Sequence, residues 1–235
     1  GPARRAFDGA RFCLYEAPGQ MHHAIKYEPS FPMLQVSLQP NEVLIAEAGT
    51  MVARATTVSM EVKLNAGRGA GFFQKLKAIL VAFVRKAIGG ETFFVNHFSS
   101  PTGGWVWLAP PLSGSMKHIP LAGQSLILNA GAFVASAGDV DLKVRWGGLR
   151  AILAKEGAFF IEASGQGDLW VTSYGAMEEV WVDGSYVVDN GHLVAFDPSL
   201  TFQIKTAGGG LMGFVASGEG LVCEFTGRGK VLLQS

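Results

Sequence analysis

Apolar and polar residues alternate with period two through much of this chain, and they do so in an order that recurs three times. The first passage is Pro40–Leu64, the second Ala122–Arg145, within Leu121–Trp146, and the third Val182–Lys205. Each begins with a short apolar strand and turns at a glycine, Gly49, Gly131 or Gly191. An apolar run then reaches Ala53, Ala135 or Ala195, and a strictly alternating strand follows at Met60–Leu64, Val140–Val144 or Leu200–Ile204. Strict alternation gives each strand one inward face, and a glycine suits the tight or positive-φ turn between strands.

A second passage follows each first one, at 89–111, 155–175 and 218–235. Glu91, Glu156 and Glu219 head an apolar strand, a glycine-containing turn follows, and a short strand closes it at Trp105–Leu108, Leu169–Thr172 or Val231–Leu233. Gly227 and Gly229 read as turn residues of the last copy. The pattern predicts an all-β chain, a single compact domain over 3–235. It is built from three tandem β-sandwich-like units (about 30–111, 112–175 and 176–235) in a pseudo-threefold arrangement. Ahead of them Met33–Leu38 alternates as a strand, Phe12–Tyr15 is a second candidate, and His22–His23 falls in a loop rich in proline and glycine.

The copies differ most in one place. Their turn glycines lie 82 and then 60 residues apart, and the excess falls at 65–90. There the period changes from 2 to 3.6, which predicts an amphipathic helix over 71–88, ended by Gly89–Gly90. Phe72, Phe73, Leu76, Leu80 and Phe83 share its apolar face, flanked by Lys75, Lys77, Arg85 and Lys86, with no acidic residue between Gly67 and Gly90. Such a face covers an open end of the β core, packs in an oligomer, docks a partner or lies on an anionic membrane.

Composition narrows the functional classes. Charged residues are only 16% of the 235, well below the roughly 25% usual for soluble domains, and 31 glycines fit many short strands joined by turns. The formal net charge is zero, so no overall field draws nucleic acid, and a weakly charged surface favours self-association. Cys13 and Cys223 read as free, buried thiols. No run of 18 apolar residues predicts a spanning helix.

Candidate chemistry is sparse. The five histidines (His22, His23, His97, His118, His192) show no HxH or HExxH spacing, and no GxSxG, P-loop or CxxC occurs. Gly165-Gln166-Gly167 and Gly227-Arg228-Gly229 sit between strands rather than at a helix start, so they read as turns. Asp139/Asp141 and Glu178/Glu179 read as solvated strand faces, and the tryptophans as core or subunit interface. No catalytic, cofactor-binding or metal-ligating residue is assigned.

Three strings carry a family resemblance: PNEVLIAEAGTMVARATTVSMEVKL, ETFFVNHF…GGWVWLAPPLSGSM and the terminal GEGLVCEFTGRGKVLLQS. They resemble the altered-inheritance-of-mitochondria protein 24 family, formerly domain of unknown function 124, over about residues 30–235. The matching positions are Glu219, Gly220, Phe225, Gly227, Gly229 and Gln234, all structural; the family's usual GPG is Gly227-Arg228-Gly229 here. The resemblance implies a fold similar to the tryptophan RNA-binding attenuation protein and no established activity. It also implies a cytoplasmic location for a prokaryotic member or a mitochondrial one for a eukaryotic member, where relatives are membrane-associated. Together these readings lead to a non-enzymatic structural or scaffolding protein that self-associates or meets a protein partner, with peripheral membrane contact through 72–88. A small-ligand protein with a pocket between β units and a metal-dependent hydrolase are the alternatives.

Overall fold

Alternation writes itself directly into strands. The Met33–Leu38 stretch forms β2, with Leu34, Val36 and Leu38 buried and the residues between them more open. A computed structural model describes residues 21–64, 94–146, 159–206 and 221–235. Within them the chain runs β1 (His22–Lys26), β2, β3 (Val43–Glu47), β4 (Met51–Arg54), β5 (Ser59–Leu64), β6 (Phe94–Ser99) and β7 (Gly104–Leu108). It continues through β8 (Gly114–Asn129), β9 (Phe133–Trp146), β10 (Phe159–Tyr174), β11 (Met177–Asp189), β12 (Leu193–Phe196), β13 (Thr201–Thr206) and β14 (Leu221–Gln234). The predicted helix over 71–88, with Phe72, Phe73, Lys75, Leu76, Lys77, Leu80, Phe83, Arg85 and Lys86, lies outside the described residues, as do Phe12–Tyr15 and Cys13.

All strand ladders are antiparallel, in a four-stranded sheet ordered β1-β2-β7-β4 and a ten-stranded sheet running from β11 to β5. One set of pairings recurs. In the first unit β3 and β5 flank β6, while β2 and β4 flank β7. In the second, the halves of β8 and β9 flank the halves of β10 in the same way. In the third, β11 and β13 flank the first half of β14, while β11 and β12 flank its second half. A register shift falls at the same place in each, skipping Val52, Val134 or Val194. A bulge at one repeated position re-aims the same side chain three times.

Neighbouring units are joined by one further pairing. Ala46 of β3 lies opposite Ala135 of β9, and in the same register Leu128 of β8 lies opposite Ala195 of β12. The apolar clusters follow these joins. One combines Leu38, Leu44 and Leu108 with Val134, Ala137 and Trp170; another combines Leu121, Leu128 and Leu169 with Val194 and Leu232; a third gathers Phe196, Cys223 and Phe225 with Phe160. Among the described residues no strand pairing links the third unit back to the first.

The glycines divide into two kinds. Gly49 (φ +95°) is a true positive-φ turn, whereas Gly131 and Gly191 sit mid-way in one-turn 3-10 segments at ordinary φ. Gly227 and Gly229 are not turns, which corrects the sequence reading: both lie inside the continuous strand β14. The same holds for Gly165 and Gly167 inside β10. Gly165 (φ +120°) bends its strand so closely that an added Cβ would meet the Asp139 carbonyl at 2.1 Å. At Gly165 the pairing of β10 with β9 therefore runs on through the bend, while its pairing with β8 shifts register. His22–His23 are likewise strand residues of β1, paired with Ser37 and Val36, rather than loop.

Candidate functional site

The junctions between units carry the polar chemistry. At the first junction, Trp170 of β10 lies opposite His118 of β8 and Asp168 lies two residues earlier on the same face. That face meets the start of β1. Asp168 is 2% exposed, and its carboxylate is shared: Oδ1 is 2.7 Å from His118 Nε2, and Oδ2 accepts the Met21 backbone N–H at 2.8 Å. His23 Nδ1 donates to the Met21 carbonyl over 2.9 Å, because a carbonyl only accepts. The two imidazoles lie 4.2 Å apart between centroids, tilted by 55°, and the Trp170 ring is 5.1 Å from one and 5.3 Å from the other. Burial pulls the pKa of His23 below the ordinary histidine value.

A carboxylate that orients an imidazole can make a base, but a base needs a substrate-facing proton acceptor and a neighbour to activate. Ser136, whose buried hydroxyl has no hydrogen-bond partner among the described residues, lies opposite Leu169 rather than Trp170, so alternation sends it to the other face. Among the described residues no three His, Cys, Asp or Glu side chains converge for a metal. The arrangement ties β1 across to the second unit. His118 thus meets His23, not His97 or His192: His97 lies in β6 between Ile45 and Glu61, and His192 Nδ1 is 2.7 Å from the Gln234 carbonyl.

At the second junction, Glu179 and Lys230 occupy the positions that His118 and Asp168 occupy at the first. The correspondence is fixed by register, since Leu232 lies opposite Glu179 and Ala195 as Trp170 lies opposite His118 and Ala135. Glu179 bridges Lys117 at 2.9 Å and Lys230 at 2.8 Å. Hydrogen bonds from these two ammoniums hold its carboxyl down to about 2. The sequence reads Glu178/Glu179 as a solvated strand face, and Glu179 is indeed 40% exposed, but its carboxylate also joins β11 to lysines of β8 and β14.

A family model described as mitochondrial biogenesis AIM24 matches residues 23–235. The chain belongs to the AIM24 family. It is 29% identical over 219 residues to an uncharacterized protein of Streptococcus pyogenes serotype M6, covering 92% of this chain and 86% of that one. It is also similar to an X-ray crystal structure of a Streptococcus pyogenes protein, with a TM-score of 0.75 and 27% identity, covering 92% of this chain and 94% of that one. Among the described residues of this AIM24 chain, no helix is long and apolar enough to cross a membrane.

Glu47 lies apart from the junction polar clusters. Burial pushes the Glu47 carboxyl in β3 up to about 7. An acid raised in the folded state holds its proton more tightly there, so stability falls as pH rises from the ordinary carboxylate range through about 7. Glu47→Gln is expected to flatten this dependence and to be more stable than wild type at pH 8 by about 1 kcal/mol, after allowing for partial exposure. Urea unfolding at pH 5 and pH 8 measures it; parallel pH profiles for the two proteins would contradict it.

Proposed function

We propose that this AIM24-family chain is a non-enzymatic structural protein that acts by joining head-to-tail to further copies of itself. The reading rests on one side chain. Val134 and Val194, the bulged residues of the second and third units, are fully buried in clusters that include side chains of the preceding unit. Val52, the same residue of the first unit, is 54% exposed.

At the other end of the chain the mate of that join also stands open. Tyr186 and Val187 of β11 are exposed, and β11 ends the large sheet as β4 ends the small one. Continuing the register of the two internal joins places Val188 opposite Ala53 and Val187 opposite Arg54 of the next copy. Exposed apolar strand edges are templates for pairing, and here the shape of the mate is already written twice within the chain.

Analytical ultracentrifugation of the full chain at micromolar concentration is expected to give multiples of 24.9 kDa. Val187→Lys and Val52→Asp are each expected to shift the distribution to the monomer. Both sites are exposed, so thermal unfolding of the monomer should be nearly unchanged. A monomeric wild type, or variants that keep the wild-type mass, would overturn the proposal.

A further inference from the structure

Beside the Lys117–Glu179–Lys230 triad lies a cavity of about 600 Å³ between the second and third units, within the range of small-molecule sites. Its walls include Leu121, Leu126, Phe196 and Leu232, and its lining takes in both lysines.

The other junction shows what such a place holds. Register matches Leu121, Leu126 and Leu232 to Leu38, Leu44 and Trp170. Those three residues belong to the apolar cluster that contains Met21, which is 6% exposed. Met21 thus supplies an apolar chain with a polar root, and the root donates its N–H to the Asp168 carboxylate. At the second junction Lys230 stands where Asp168 stood, so the preference of the polar end is reversed: it calls for a group that accepts. One carboxylate, Glu179, already lies between the two ammoniums. Each ammonium has three N–H donors and gives one to Glu179. Asp197, also in the lining, accepts the Lys230 backbone N–H and balances the second positive charge.

We propose that this cavity binds a small monocarboxylate with an apolar body, its chain placed as Met21 is at the first junction and its carboxylate between Lys117 and Lys230 in place of Glu179. The incoming carboxylate takes over the two hydrogen bonds that Glu179 gives up, and the Glu179 side chain, 40% exposed, turns into the water beside it.

Isothermal titration of the full chain with decanoate, below its micelle concentration, tests this. Saturation at one decanoate per chain is expected, with decanol and decylamine binding at least tenfold more weakly. The Lys117→Gln/Lys230→Gln double variant should lose about tenfold or more in affinity, because two charge-assisted donors go. Glu179→Gln should bind several-fold more tightly, because the competing carboxylate is neutralised. Leu126→Trp, which fills the cavity, should abolish binding; the exposed lysine variants keep the test decisive if that protein does not fold. No saturable binding by wild type, equal binding of decanol, or unchanged affinity in the lysine double variant would overturn the proposal.

Discussion

Trp170→Ala is expected to lower the unfolding free energy by about 3–5 kcal/mol, the range for removing a fully buried large aromatic side chain. Trp170 is 0% exposed and sits opposite both His118 and Ala135, where the first and second units share one cluster. Its loss opens a void that backbone pairing on both sides prevents from collapsing. The indole N–H has no hydrogen-bond partner among the described residues, which sharpens the test. Trp170→Phe deletes that costly orphan along with some apolar area, so the two effects offset and the loss should stay below about 1.5 kcal/mol. Urea midpoints of the three proteins decide it. A loss under about 1 kcal/mol for the alanine variant would mean that the junction is not a shared core.

The second large effect belongs to Asp168. Asp168→Ala removes the acceptor of both His118 and the Met21 N–H and leaves two buried donors facing apolar surroundings. Leaving buried donors unsatisfied in this way costs about 1–3 kcal/mol for each. Hydrogen exchange should accelerate most at the amides of β1, whose hold on the second unit runs through that carboxylate. The pH dependence has a defined sign. His23 has a depressed pKa in the folded protein, so the stability tied to its neutral form is present above the ordinary value of 6.5 and is lost as pH falls below it. The Asp168 charge is one of the influences holding that pKa up. Its removal deepens the depression, and the acid-side loss should become steeper. An unchanged pH profile with unchanged β1 exchange would refute the account.

How much of this was legible in the sequence depends on the distance over which residues act. Alternation is local, so Met33–Leu38 came out of the sequence as β2 with its inward face correct, and the recurring alanines at 53, 135 and 195 mark equivalent ladder positions. Glycine chemistry is local too but ambiguous. Gly227 reads as a turn because it sits between two strand runs, whereas the chain bends there and pairs on across Gly184. The polar cluster at the first junction was not legible, because Asp168 meets residues 50 and 147 positions away. One signal for it did exist. Asp168, Trp170 and Thr172 alternate with Leu169 and Val171 in a strand buried on both faces, and a carboxylate in such a run must have a partner. The second-junction cavity is built from separate stretches of β8, β11, β14 and the segment after β12, and no local pattern announces it.

The apolar clusters are out of step with the units that the repeat defines. Val134 completes a cluster rich in side chains of the preceding unit, Val194 does the same one unit later, and Phe160 reaches forward into the third. A lone unit cut from this chain would therefore carry pieces of two cores and the whole of neither.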